Sequence, residues 1–115
     1  MTKDNLPICD KDLSIKKVIH RMTDGKCGLV VIIEKDVITG IVSDGDIRRF
    51  METHEENFFT LKAKDLMTTN PKTIKSNEKL TQASELMNDN IINALIVVNE
   101  TDKLVGIVHR HNLGI

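Results

Sequence analysis

Apolar positions change their period several times along this chain, and each change marks an element. At Leu13, Ile15, Val18, Ile19 and Met22 they recur every three or four residues, the spacing of one helical face. Residues 29–33 are an unbroken apolar run rich in β-branched side chains, which predicts a buried strand. Glu34-Lys35-Asp36 supplies a tight turn, and 37–42 returns as the antiparallel partner. A short strand at 6–9 precedes these elements. A polar turn at 10–12 can cap the first helix, and Asp24-Gly25 closes it, the glycine suited to a left-handed end residue. A second helix is expected from Asp46 to about His54.

The same order then returns. A polar connector at 54–64 leads into a helical turn at 63–67, broken by Thr68-Thr69-Asn70-Pro71. Thr73-Ile74 predicts a strand, and Leu80, Ala83, Leu86 and Met87 a helix. Residues 95–98 predict a buried strand, 100–103 a turn and 104–108 the last strand. Gly40 and Gly106 lie 66 positions apart, and 95–98 follows 29–32 by the same step. The helices align at a step of 65, so one extra residue is expected between helix and strand in the second copy.

Each copy reads β-α-β-β-α, an α/β (α+β) arrangement that is marginal in size alone. Two copies packed with pseudo-twofold symmetry would cover each other's sheet faces and leave a cleft where strand ends meet helix starts. The expected boundaries are 1–54 for the first copy, 55–70 for a linker and 71–115 for the second, whose last helix is nearly absent.

Charge narrows the partners. Sixteen Lys and Arg against 17 Asp and Glu leave a net charge of −1, without the basic face that nucleic acid or a membrane surface requires. Aromatics are only 3%, too few for a base-stacking platform. The run at 29–33 is far too short to span a bilayer, and the polar residues 1–7 do not make a signal peptide. Cys9 and Cys27 read as reduced thiols, so a cytoplasmic protein is expected.

The candidate chemistry gathers in Gly40-Ile41-Val42-Ser43-Asp44-Gly45-Asp46-Ile47-Arg48-Arg49, where an apolar strand runs into a helix start. Two readings stand together. Ser43 and Asp46 have capping-box spacing and can close two orphan N–H groups. The same turn can receive a ligand: a carboxylate accepts ribose O–H donors, phosphate favours a helix N-terminus, and Arg48 or Arg49 can add a charge-assisted bond. Asp44 and Asp46 as a magnesium pair, or His109 and His111 as a metal clip, are weaker readings, because solvated turn carboxylates are common and no further ligand flanks the histidines. No nucleophile–base pair is visible, so no catalytic residue is expected.

The repeat, with Gly40, Ser43 and Asp46 in the first copy and Asp65-Leu66-Met67-Thr68, Pro71 and Thr73-Ile74 leading into the second, resembles a tandem pair of cystathionine β-synthase (CBS) domains across essentially the whole chain. Ser43-Asp44-Gly45-Asp46-Ile47-Arg48-Arg49 and the ending Gly106-Ile107-Val108-His109-Arg110-His111-Asn112-Leu113 are similar to the CBS pair of bacterial D-arabinose 5-phosphate isomerases. A comparable turn occurs in CBS pairs fused to sugar-phosphate nucleotidyltransferases. The resemblance implies that Asp46 holds a nucleotide's ribose and Ser43 a phosphate, with Asp44, Arg48, Arg49, His109, His111 and Asn112 completing the ligand-binding set. Asn112 stands where the family usually has aspartate, which implies an altered second pocket. The implied function is regulatory: binding AMP, ATP or a CMP-sugar with no required cofactor, and tuning a sugar-isomerase domain that a chain of 115 residues has no room to hold. The other implied role is subunit assembly, since such pairs associate as homodimers.

Overall fold

The computed structural model describes residues 6–25, 28–78, 80–90 and 94–109. The chain divides into two units, Pro7–Pro71 and the described residues from Lys72 onward together with Leu6. The first unit runs β1 (Ile8–Cys9), α1 (Ile15–Gly25), β2 (Leu29–Glu34), β3 (Val37–Ser43), α2 (Asp44–Thr53), a 3₁₀ turn (Phe58–Thr60), α3 (Ala63–Leu66) and β4 (Thr68–Thr69). Its sheet has the order β1-β2-β3-β4, with β1 parallel to β2 and the other pairs antiparallel. The second unit runs β5 (Thr73–Lys75), α4 (Leu80–Asn90), β6 (Ala94–Val98) and β7 (Leu104–His109), in sheet order β5-β6-β7 with β5 parallel to β6. The architecture is mixed α+β with two small sheets, as the periodicity predicts.

The helical spacing of Ile15, Val18 and Met22 buries one face of α1. That face joins Val30 and Ile32 of β2, Val42 of β3 and Ile47 of α2 in a single core. In the second unit Ala83 and Met87 of α4 pack with Leu95 and Val97 of β6 and Val108 of β7. The turn between β2 and β3 places two ordinary residues in the left-handed region, Lys35 at φ 50° and Asp36 at φ 65°.

The duplication is real in the pairing, but its extra residue lies elsewhere than expected. Ile8 faces Val31 in the first unit, and Thr73 faces Ile96 in the second. Both strands therefore advance by 65, as the helices do. Only the return strand advances by 66: Gly40 faces Ile32, and Gly106 faces Val97. The added residue thus falls in the β6–β7 hairpin loop and not between helix and strand. Asn99 organises that longer loop, its Oδ1 accepting the N–H groups of Thr101 and Lys103 at 3.0 Å each.

Two expectations about helix ends also change. Helix α1 begins at Ile15, because Asp10 accepts the Asp12 N–H at 2.8 Å and holds the preceding residues in a turn. Gly25 is still helical and not left-handed. Its lack of a side chain serves a close approach instead, since a Cβ there would stand 2.7 Å from Pro7 Cβ. Among the described residues, the left-handed glycine is Gly28, at φ 73°.

The connector is structured as well. The Ile15 N–H donates to the Leu61 carbonyl at 3.0 Å, and the Ala63 and Lys64 N–H groups donate to the Leu13 and Lys11 carbonyls at 2.9 Å each. Phe58 enters the core of the first unit at 2% exposure. Beyond it, β4 adds to the sheet edge, with Thr69 opposite Gly40 and Thr68 opposite Ile41. A Cβ on Gly40 would lie 2.9 Å from the Thr68 carbonyl oxygen and 2.9 Å from Met67 Sδ, so this glycine is what lets the returning chain pass.

Candidate functional site

β3 delivers Ser43 to the end of its sheet, and α2 begins at the next residue. Ser43 is extended, with φ −101° and ψ 166°, as a helix N-cap requires. Its Oγ accepts the Asp46 N–H at 3.1 Å, and its own N–H donates to Asp46 Oδ2 at 2.9 Å. The capping box is therefore closed, and Asp46 is the third residue of α2 rather than its first. One further start donor is engaged from outside the helix: the Asp44 N–H reaches the carbonyl of Gly28 at 3.0 Å. A helix start leaves four such donors over. Three are used, by Ser43, Asp44 and Asp46, and no acceptor among the described residues takes the Gly45 N–H.

Asp46 is 6% exposed and is the one buried charged side chain among the described residues. A buried carboxylate needs partners, and this one has two of different kinds. Oδ2 belongs to the capping box, while Oδ1 accepts from Arg49 Nη2, one helical turn on. The guanidinium is largely exposed and lies across the first turn of α2. A Cβ on Gly45 would be 3.3 Å from Arg49 Nη1 and 3.6 Å from Ser43 Oγ. Arg48 stands 4.0 Å from Asp44 with both side chains in solvent, a pair worth little by itself.

The fold thus brings Ser43, Asp46 and Arg49 into direct contact and sets Asp44 and Arg48 beside them on the same turn. In the second unit His109 ends β7 opposite Ala94, where Ser43 ends β3 opposite Leu29, so His109 is the counterpart of Ser43. His111 and Asn112 lie outside the described residues. Among the described residues no group of three or more His, Cys, Asp or Glu is placed to hold a metal. Gly28 is a residue that periodicity does not reveal. Its signal was a glycine directly before a buried strand, whose carbonyl serves a helix start 16 residues later.

A shallow cleft of about 390 Å³ in the second unit is lined by Thr73, Ile74, Lys75, Glu78, Gln82, Glu85, Leu86 and Asp89, none of them predicted as site residues. With three carboxylates against one lysine, that lining is ill suited to phosphate. Lys75, its one cation, is already paired with Asp102 and donates to the Asn99 carbonyl at 3.4 Å. The Cys9 thiol is buried, and that burial, reinforced by Asp10 and opposed by Arg21, pushes it up to about 11 from its ordinary 9.0. It is therefore a protonated core group at neutral pH and not a nucleophile.

Two units of repeated β-α-β-β topology, the first with its return strand running into a polar helix start, define the class. The CBS domain model matches residues 1–53 and again 63–113, so the chain belongs to the CBS domain family as a tandem pair. Arabinose 5-phosphate isomerase KdsD of Francisella tularensis is 36% identical over 98% of this chain and 35% of its own length. Arabinose 5-phosphate isomerase KpsF of Escherichia coli is 34% identical over 90% of this chain and 32% of its own length. The chain thus spans about a third of these curated relatives. Among solved structures, a CBS domain protein of Pyrobaculum aerophilum complexed with AMP superposes with a TM-score of 0.83. It is 21% identical, with 93% of this chain and 82% of that one covered. The CBS-pair protein CBSX2 in complex with AMP gives a TM-score of 0.80 at 24% identity, covering 99% of this chain and 89% of that one. Among the described residues no helix is long and apolar enough to cross a membrane.

Proposed function

We propose that this CBS pair is a cytoplasmic, ligand-sensing regulatory module. It binds a nucleotide or nucleotide-sugar at the Ser43–Arg49 turn and tunes an attached D-arabinose 5-phosphate isomerase domain, itself doing no chemistry. The observation that carries this reading is the Ser43–Asp46–Arg49 arrangement. A buried carboxylate, a hydroxyl and a guanidinium converge on the first turn of α2 beside an unclaimed N–H. A carboxylate is a pure acceptor, and Oδ1, held by Arg49 alone, is the oxygen a ribose hydroxyl would take. Phosphate is favoured at a helix start. Supporting it from outside are the isomerase relatives, which continue well beyond this chain's length, and the neighbours solved with AMP. Regulation would be a population shift limited by the ligand's preference for one arrangement.

Calorimetric titration of the chain with AMP, ATP, CMP and a CMP-sugar tests the proposal. Saturable binding of at least one is expected, and a folded chain that binds none at millimolar concentration overturns it. Assembly is the second reading, favoured by the exposed apolar side chains of Met51 and Phe59 on and after α2. Light scattering with and without AMP separates the two. A dimer indifferent to ligand favours assembly, and a monomer removes it.

A further inference from the structure

We infer that Arg49 is the specificity-determining residue of this turn: it closes the Asp46 carboxylate until a phosphate draws it away, so that phosphorylated ligands are admitted and bare nucleosides are not. The inference rests on the ligand-sensing reading above.

Three observations carry it. First, the Asp46 oxygen that the capping box leaves over is the one that Arg49 takes. A ligand without a phosphate would have to compete with a guanidinium for that oxygen and would give the guanidinium nothing in return. Second, Arg49 is held over the first turn of a helix, where the macrodipole disfavours a cation. The carboxylate holds it there, and a doubly charged phosphate would hold it better, through two parallel N–H···O bonds. Third, the Gly45 N–H has no acceptor among the described residues, and the absent side chain of Gly45 leaves the space that Arg49 Nη1 occupies. An anion arriving there meets a backbone donor and a guanidinium together. Arg49 can reach it by a change of side-chain rotamer alone, because its side chain is 68% exposed and tied at one end only. Arg48 has no such position, since its nearest carboxylate is Asp44, itself in solvent.

The exchange is then simple. The guanidinium leaves Asp46 Oδ1 for the phosphate, and Oδ1 becomes free to accept a ribose hydroxyl. The capping box is untouched, so α2 keeps its start. One bound anion both opens the carboxylate and repays the guanidinium, which couples the two halves of the ligand.

The test compares AMP with adenosine, and CMP with cytidine, by calorimetry on the full chain and on Arg49→Ala, Arg49→Lys and Gly45→Ala. The unaltered chain should bind the better of the two nucleotides at least 100-fold more tightly than its nucleoside. In Arg49→Ala that nucleotide should weaken tenfold or more while its nucleoside binds more tightly, so the ratio collapses towards ten or below. Arg49→Lys should recover part of the ratio. Gly45→Ala, which crowds Nη1, should lower nucleotide affinity with the helix intact by circular dichroism. If Arg49→Ala keeps the full nucleotide-to-nucleoside ratio, this inference fails while ligand sensing stands. If the folded, unaltered chain binds none of the four probes, or of ATP and a CMP-sugar, the ligand-sensing reading fails and this inference with it.

Discussion

The carbonyl of Gly28 accepts the Asp44 N–H at 3.0 Å, tying the residue before β2 to the first residue of α2. Gly28 makes that bond from φ 73°, a conformation that costs a residue with a side chain about 1–2 kcal/mol. Gly28→Ala should therefore lower the stability of the first unit by about that amount, read as a lower urea midpoint at unchanged slope. Space is not the cause, because a Cβ there would meet only Asp44 Oδ2 at 3.5 Å.

The capping box and the ligand site share Asp46, and substitutions can pull them apart. Ser43→Ala should cost about 1 kcal/mol of stability, the ordinary worth of an N-cap. Asp46→Asn keeps an acceptor for the Ser43 N–H and should cost less than Asp46→Ala, which also strands Arg49 above the helix start. Nucleotide binding should be lost in Asp46→Ala while circular dichroism still reports a folded chain. A chain that unfolds outright at 25 °C would show that the cap alone accounts for this residue.

Gly40→Ala should be more damaging than its single methyl group suggests. The new Cβ would be driven against the Thr68 carbonyl and Met67 Sδ, both at 2.9 Å, and a backbone atom cannot step aside as a side-chain end can. Overpacking of this kind costs about 1–3 kcal/mol. Loss of β4 from the sheet should appear as faster amide hydrogen exchange at 68–70, with α1 still protected.

Cys9 imposes a pH dependence on the alkaline side. Its thiol titrates near 11 in the folded chain against an ordinary 9.0, so between those values the unfolded chain gives up a proton that the folded chain keeps. The contribution of Cys9 to stability is constant below pH 9 and falls by about 1.4 kcal/mol per pH unit from there to pH 11. Denaturant unfolding of the parent chain and of Cys9→Ala across pH 8–11 should show this slope in the first and a flatter profile in the second. Alkylation of Cys9 in the native chain should be slow at pH 7.

Much of this fold was written in hydrophobic periodicity. Ile15, Val18 and Met22 face the core as their spacing demands, and the apolar run that became β2 is buried at Leu29, Val30, Val31 and Ile32. The same burial explains why periodicity misplaces the register of the duplication. A strand buried on both faces has no alternation to fix its alignment, so Leu95-Ile96-Val97-Val98 matches Leu29-Val30-Val31-Ile32 almost as well after a slip of one residue. Only the pairing of Val31 with Ile8 and of Ile96 with Thr73 decides it. β4 was invisible for another reason. Two exposed threonines carry no pattern, and they become a strand because Gly40 lets them approach.

At the site, the capping spacing of Ser43 and Asp46 was legible, and so was the presence of two arginines. Which arginine would reach the carboxylate was not. That depends on the pairing along α2: Arg49 lies one turn beyond Asp46, while Arg48 lies one turn beyond Asp44 instead.

The clasp between 61–64 and 11–15 bears on how this polypeptide can be cut. A fragment ending at residue 54 would forfeit Phe58, Ala63 and Leu66, three walls of its own interior, and would leave the β3 edge open for another molecule to add to. Severing the halves cleanly means carrying the chain to Pro71, so whoever divides this protein to learn which half does what should place the knife there.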